Sequence, residues 1–578
     1  MARKNKNNID EISTIRDTIE SIWIAIVLAF VLRAFMVEAF VIPTGSMAER
    51  LYGQHWQMDC TCCQWRFAFN FSKITSKEGQ DYSRPAATCP NCGQDVTVKS
   101  APRSGDRVLV PKFIYHFTDP KPWEVVVFKN PQNNNENYIK RLIGLPGQTI
   151  EIIHGDIFVG ETPSAERRIL RKPERVQKVM WQVVHNFDYP ADAEQVADRK
   201  IGSAPPPPTW LDPTGKWTLN SEAESARKLG FNGSDSASVI ALNAERDHFL
   251  PYYGYNTRAG GPLFDKDRDI ISDLKLEVSF KPLDDKSTVS LMLSSFEHRF
   301  KAEVSTDGSV KLCHAITDDQ GALGEWKVVD SYDVGRIKQG QVKRIALAHA
   351  DFRVFIQVDG QTVASEAYEP ADRDAYRKLC DYPDRLVRAR NTALTDAEHD
   401  RFQDLIDQVP LELDKPAVAI SGSEGKFDLL HISLMRDVYY TCPSVASGQY
   451  PGLEALYKHK DNLARNDDEL AGRLRQTDNT TRRNGWAITG YPLSLKKNEV
   501  KPDLDEFFVL GDNSPNSLDG RSWIRVSPTL RPGYSLGTVP RYNMLGRAMF
   551  VYWPAGFNMP VINRLPLGPN VGQMRLVR

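Results

Sequence analysis

The segment from Ile22 to Leu32 (IWIAIVLAFVL) is uninterruptedly apolar, and with Arg33 and Glu38 tolerated the apolar character runs on through Ile42. No other feature constrains the chain so tightly. A run of this length is what a bilayer core of roughly 30 Å demands of a helix, and a helix apolar on every side has no solvent face to offer a globular fold. Arg33 and Glu38 stand towards the far end, where long side chains reach the headgroups. Arg3, Lys4, Lys6 and Arg16 precede the segment, and an excess of cations marks the cytoplasmic side. The prediction is a single-pass anchor with the N-terminus in the cytoplasm and everything after Ile42 outside. A cleavable leader would have a shorter apolar core and a small-residue exit; here the exit, Val37 to Pro43, is bulky. No second stretch of comparable length follows, so the remainder is expected to be soluble.

A chain of 578 residues exceeds one ordinary domain, and its length predicts three or four. The net charge of −1 implies no general attraction to nucleic acid. Five of the eight cysteines fall between Cys60 and Cys92, whereas Cys313, Cys380 and Cys442 are scattered. Clustering favours a local site over a chain-wide disulfide framework.

Most of the pattern is that of short strands and turns. Arg107–Val110 and Trp123–Phe128 read as strands, Asn137–Ile143 follows, and Leu145-Pro146-Gly147 turns the chain into Thr149–Ile153. After Arg167 the chain becomes charged and passes through Pro205–Pro208, a stiff spacer. From about Trp210 alternation returns: Leu274, Leu276, Val278 and Phe280 form one set, Phe352, Val354, Ile356 and Val358 another. Asp307-Gly308 and Asp359-Gly360 interrupt such runs, and Asp-Gly between alternating strands is a strong hairpin signal. These features predict an antiparallel sandwich. Residues 371–408 and 454–475 are charged and helix-like, and after Trp486 the short-strand style resumes in Phe507–Leu510 and Ala548–Trp553.

Two polar settings point to chemistry. Pro43-Thr44-Gly45-Ser46-Met47 follows the apolar segment directly, and Lys140 lies in an alternating strand beside Arg141. Tyr138, Lys140 and Leu142 share one strand face and Ile139, Arg141 and Ile143 the other, so one cation must meet an apolar layer unless the strand is at an edge. A lysine can act as general base for a serine only if burial lowers its reference pKa of about 10.4 by a few units.

Three stretches carry a resemblance: Pro43–Met47, Tyr138–Gly147 (YIKRLIGLPG) and Gly511–Arg521 (GDNSPNSLDGR). In order and behind an N-terminal anchor, they resemble the conserved boxes of bacterial type I signal peptidases (leader peptidases), over roughly residues 20–160 and 486–555. The resemblance implies Ser46 as nucleophile and neutral Lys140 as its base. The Ser46 N–H and the Thr44 hydroxyl would form the oxyanion hole, although many members of the family carry serine where Thr44 stands. Ser517 would hydrogen-bond and orient Lys140, Asp519 and Arg521 would pair beneath the site, and Gly511, Asp512 and Asn513 would support it. The implied partners are exported preproteins with N-terminal signal peptides, cleaved after small residues at the membrane surface. Phe40, Val41 and Ile42 would pair with the extended substrate as an added strand. No catalytic cofactor is implied. The implied location is the bacterial cytoplasmic (inner) membrane, with the catalytic domain on its outer face. A self-cleaving repressor of the related Ser/Lys kind disagrees with the anchor and with the lack of a DNA-binding helix pair. A membrane-tethered glycan- or protein-binding scaffold with a vestigial peptidase core is the competing non-enzyme reading, and intact Ser46 and Lys140 argue against it.

Cys60/Cys63 and Cys89/Cys92 form two C-x-x-C pairs, the second inside Cys-Pro-Asn-Cys-Gly, which looks like a zinc knuckle. Paired knuckles resemble a zinc ribbon, which the typical signal peptidase lacks. Four thiolates would satisfy a structural zinc ion; disulfide pairing is the alternative outside the cytoplasm, and Cys62 can stand in for Cys60 or Cys63. Roughly Trp210–Tyr440 resembles a concanavalin A-like jelly-roll, a fold that often binds glycans, and a protein ligand or spacer role is equally open. The predicted organisation is mainly β: residues 1–42, cytoplasmic N-terminus and transmembrane helix; 43–166, first part of the catalytic domain, with a zinc-ribbon-like insert at 58–96; 167–209, linker; 210–440, sandwich insert; 441–485, charged connector; and 486–578, second part of the catalytic domain.

Overall fold

A computed structural model describes residues 16, 18–27, 36–70, 86–98, 102–162, 165–197, 205–220, 227–257, 270–318, 322–369, 415–441, 492–523, 527, 529–530, 534–555, 557–559, 562–568 and 571–578. Cys380, Cys442, the helix-like stretches 371–408 and 454–475, and most of the expected connector 441–485 lie outside the described residues.

Residues 18–27 are helical, and among the described residues no helix is long and apolar enough to cross a membrane; Leu28–Phe35, the middle of the expected span, lies outside them. The far end of that expected span needs correction. Val37–Val41 is a strand, antiparallel to Arg107–Pro111 with Val41 opposite Arg107. Apolar length alone cannot tell a helix from a helix followed by a strand, and Glu38, which pairs with Lys112 at 2.6 Å, belongs to that strand's surface and not to a headgroup contact.

One core is built from both halves of the chain. One sheet runs Val37–Val41, Arg107–Pro111, Phe550–Trp553, Arg575–Leu576. A second runs Val539–Pro540, Glu506–Leu510, Asn137–Gly144, Val125–Lys129, Met544–Arg547. Strand Asn137–Gly144 is therefore flanked by a neighbour from each half, and residues from both halves share the buried core between these sheets. A third sheet joins Arg168–Ile169, Asp156–Gly160, Thr149–Ile153 and Leu493–Ser494. The Pro-Gly turn that opens it has Gly147 at φ +90°, a conformation that side chains with a Cβ avoid.

The insert is a sandwich of two antiparallel sheets around one apolar core. Its hairpins fall where Asp-Gly occurs: Gly308 (φ +103°) joins His298–Ser305 to Ser309–Ile316, and Asp359-Gly360, both at positive φ, joins Arg353–Val358 to Gln361–Ala367. Of the stretch 167–209, expected as a linker, the described residues 167–197 carry helix and strand. Arg168–Ile169 closes the third sheet, Glu174–Met180 is a helix whose Val176 and Met180 are buried in the core with Ile150, Ile152 and Phe508, and Gln182–Asn186 pairs with sandwich strand Phe427–Arg436. Its charged residues disguised it: Lys172, buried, sits between Asp351 at 2.5 Å and Asp437 at 3.0 Å.

Candidate active site

Ser46 lies in a single 3-10 turn, Gly45–Met47, directly after the edge strand, and all three residues are buried. Lys140 projects from the middle of strand Asn137–Gly144. Its Nζ donates to Ser46 Oγ at 2.6 Å, with Lys140 3% and Ser46 7% exposed. The strand alternation holds, since the Lys140 ammonium also stands 5.3 Å from the ring of Tyr138, two residues earlier on the same face. Burial lowers the Lys140 pKa from 10.5 to about 8; Asp519 and Asp512 oppose the fall and Arg521 assists it. The hydrogen bond and the lowered proton affinity together are what a lysine base requires.

The neighbouring cation is buried as well. Arg141 faces the other way and grips Asp512 with two hydrogen bonds, Nε to Oδ1 at 2.7 Å and Nη2 to Oδ2 at 2.6 Å, while Nη1 donates to the Trp123 carbonyl at 2.7 Å. Both members are fully buried. Asp519 and Arg521 form a second fully buried bidentate pair, at 2.8 and 2.6 Å. Asp519 also accepts the Gly511 N–H at 2.9 Å. Arg521 uses its remaining donors on the Thr441 carbonyl and on Ser514 Oγ, at 2.6 and 2.7 Å.

Asn513 ties the third box to the nucleophile turn. Its backbone N–H donates to the Ser46 carbonyl and its Nδ2 to the Gly45 carbonyl, both at 3.0 Å. Gly511 is squeezed between the two parts: a Cβ there would fall 2.1 Å from Ser517 Oγ and 2.6 Å from the Ser46 carbonyl oxygen. Ser517 departs from its expected role. Its hydroxyl is buried with no hydrogen-bond partner, because it packs onto Gly511 and does not reach Lys140, whose Nζ is aimed at Ser46. Thr44 is exposed at the head of the 3-10 turn and makes no side-chain capping bond.

Phe40 packs on the core beneath the serine turn, Val41 is 56% exposed, and Ile42 is buried with its N–H given to the Asp106 carbonyl at 2.9 Å. Among the described residues the strand they end has a neighbour on one side only. Because N–H and C=O directions alternate along a strand, the outward polar groups at this edge are those of Val41, not Ile42.

Cys60, Cys63, Cys89 and Cys92 come together at the tips of two small hairpins, His55–Asp59/Arg66–Asn70 and Ala86–Thr88/Asp95–Thr97. No disulfide joins them. The Sγ separations are 3.5 Å for Cys60–Cys92 and 3.7 Å for Cys63–Cys89. A tetrahedral ion with bonds of about 2.3 Å sets its ligands about 3.8 Å apart, so the four thiols fit such an ion. Cys62 is turned away towards the Asp192 carbonyl, which removes it from the ligand set.

Residues 96–201 and 450–553 match the family "Signal peptidase, peptidase S26". The matched stretches include Lys140 and Asp512–Arg521; Ser46 lies outside them and joins the site through the geometry above. The chain is 36% identical over 77 residues to the probable signal peptidase I-1 of Synechocystis sp., covering 12% of this chain and 39% of that protein. It is 25% identical over 157 residues to signal peptidase I of Rickettsia prowazekii, covering 27% and 48%, and 26% identical over 147 residues to signal peptidase I P of Bacillus subtilis subsp. natto, covering 25% and 51%. The chain thus spans about half or less of the length of these relatives. Over those parts the chain is similar to signal peptidases I. Among solved structures, the carbohydrate binding module CBM66 from Bacillus subtilis (12% identity, 39% of this chain and 94% of that one, TM-score 0.22) and the β-glucanase of Bacillus licheniformis (10%, 42% and 94%, 0.21) are too remote to carry an argument.

Sequence reasoning missed Ser514, whose hydroxyl accepts from Arg521 and from the Thr441 N–H at 2.8 Å. It also missed Tyr255 and Asn256, which reach the site from the insert. Ser514 lies inside the third box and was within reach of a closer reading; the other two carry no local signal.

Proposed function

We propose that this protein is a membrane-anchored serine endopeptidase that removes N-terminal signal peptides from exported preproteins by a Ser46/Lys140 dyad. The observation that carries the reading is the buried 2.6 Å contact between Lys140 Nζ and Ser46 Oγ, with the lysine's pKa lowered to about 8. In its neutral form Lys140 accepts the Ser46 proton as Oγ attacks the scissile carbonyl. The tetrahedral oxyanion is received by the Ser46 N–H and the Thr44 hydroxyl, donors worth several kcal/mol in such sites, on the order of 3 kcal/mol each. The Lys140 ammonium then protonates the departing amine, the mature protein leaves, and water activated by the same amine hydrolyses the acyl-Ser46 ester.

The substrate adds as a strand along the open edge beside Phe40–Ile42, with Val41 supplying the backbone pairing. The apolar segment anchors the chain in the bacterial cytoplasmic membrane, N-terminus inside, so the serine meets the cleavage site at the outer surface. Zinc held by Cys60, Cys63, Cys89 and Cys92 would be structural, since four protein ligands leave no open position. The sandwich is proposed to be of the concanavalin A-like jelly-roll kind, with a glycan or protein as ligand. Processing of a preprotein in detergent by wild type, Ser46→Ala and Lys140→Ala tests the reading: cleavage is expected only from wild type, and undiminished cleavage by either folded variant refutes the dyad.

A further inference from the structure

The sandwich does not merely interrupt the peptidase chain. Its segment Leu250–Thr257 runs as a strap between the cysteine hairpins and the nucleophile turn. Buried Arg436, the last residue of a sandwich strand, donates to the carbonyls of Leu250, Pro251 and Tyr253 at 2.6, 3.2 and 2.6 Å and fixes the strap's root. Tyr253 Oη donates to the Pro90 carbonyl at 2.9 Å, and the N–H groups of Asn70 and Thr88 donate to the Tyr255 and Thr257 carbonyls at 3.1 and 3.2 Å. The strap is thus clamped on its outer side by the cysteine hairpins.

On its inner side it touches the site. A Cβ on Gly45 would lie 2.8 Å from Tyr255 Oη and 2.9 Å from Asn70 Oδ1, so the strap walls the residue before the serine. Asn256 exchanges two hydrogen bonds with Asn513: Asn256 Nδ2 donates to Asn513 Oδ1 at 2.7 Å, and Asn513 Nδ2 donates to Asn256 Oδ1 at 3.1 Å. The other proton of Asn513 Nδ2 holds the Gly45 carbonyl. That carbonyl and the Ser46 N–H belong to one planar peptide unit, in which fixing the oxygen fixes the direction of the N–H.

We propose that Asn256 is a positioning residue of the peptidase site: it locks the Asn513 amide so that the Gly45–Ser46 peptide presents its N–H to the oxyanion. The inference rests on the proposed peptidase activity and extends it, because it makes the sandwich insert a structural part of the active site. Without Asn256 the Asn513 amide loses a donor and an acceptor, both of which hold its plane. The peptide it supports then tilts, and the transition state suffers more than substrate binding, which relies on the strand edge.

The test is preprotein cleavage by the full chain in detergent, for wild type, Asn256→Ala, Asn256→Asp, Asn513→Ala and the Asn256→Ala/Asn513→Ala double variant, with Ser46→Ala as baseline. Asn256→Ala is expected to lower kcat about tenfold or more, a fraction of what loss of a whole oxyanion donor costs. KM and the midpoint of the pH–rate profile should stay in place, since neither the strand edge nor the Lys140 amine is touched. Asn256→Asp, which keeps the acceptor and loses the donor, should fall between. The double variant should be no slower than Asn513→Ala alone, because Asn256 acts through Asn513. A signal-sequence peptide aldehyde, which adds Ser46 Oγ to form a hemiacetal oxyanion, should lose affinity in Asn256→Ala by the same factor as kcat, while a cleaved product peptide keeps its affinity. An unchanged kcat in both Asn256 variants, multiplying losses in the double variant, or equal losses for aldehyde and product would overturn the inference. A wild-type chain that cleaves nothing would instead overturn the peptidase reading itself.

Discussion

Replacing Lys140 with methionine separates the demands of catalysis from those of folding. Burial lowers the lysine's pKa from 10.5 to about 8, and each tenfold change in proton affinity is worth about 1.4 kcal/mol, so the charged side chain weakens the fold by about 3 kcal/mol. The sign follows from proton counting. Below about pH 8 the lysine is protonated in both states and the folded chain bears the whole desolvation penalty. Between about 8 and 10.5 the unfolded chain holds a proton that the folded chain has released, so stability rises with pH. Above that window the penalty is gone. Lys140→Met is close in length and never charged, so at pH 7 it should be more stable than wild type by up to about 3 kcal/mol, although inactive. The gap should close as pH is raised to 10.5. Urea unfolding followed by the emission of tryptophans such as Trp123 and Trp523, both buried in the peptidase core, reads the difference. Comparing the two chains across pH cancels any packing change made by the thioether. A gap of the same size at pH 7 and pH 10, or a methionine variant that loses stability most at low pH, would refute the reading of Lys140 as a desolvated base. A gain that accompanies lost activity is the expected mark of a strained catalytic group.

The kcat/KM of preprotein cleavage should rise with pH with unit slope and level off around pH 8, the value set by burial of Lys140; a profile still rising at pH 10 would place the amine in water. Elemental analysis should find about one zinc per chain on the four-thiolate argument, and Cys89→Ser should lose it together with several degrees of melting temperature; metal-free wild type of unchanged stability would dismiss the site.

Much of this architecture is legible in the amino-acid order because local chemistry decides it. Asp-Gly dipeptides mark the hairpins at 307–308 and 359–360, since they tolerate the positive φ those turns adopt. The alternation around Lys140 shows that a strand there must bury one cation; the fold buries both, and Arg141 is tolerable only because Asp512 meets it with two hydrogen bonds. What escaped is what distant partners decide. The strand Val37–Val41 was absorbed into an apolar run because its pairing with Arg107–Pro111 leaves no mark on its own composition. The charged stretch 167–209 looks like a spacer until Asp351 and Asp437 are placed around Lys172. Ser517 lies in its box, but the box does not reveal that its buried hydroxyl has no hydrogen-bond partner. Asn256 is the extreme case, for its partner lies 257 residues away.

The Arg141–Asp512 clasp joins residues 371 positions apart, and this has a consequence for a chain made from one end. At about 5–20 residues per second, a ribosome needs on the order of 20–70 s to travel from one to the other. Throughout that interval strand Asn137–Gly144 lacks its neighbour Glu506–Leu510, and Lys140 has no closed sheet to dry it out. The Ser46–Lys140 contact therefore lacks its buried setting until translation is nearly finished. The order of synthesis thus postpones assembly of the Lys140 site until the second half of the chain has been made.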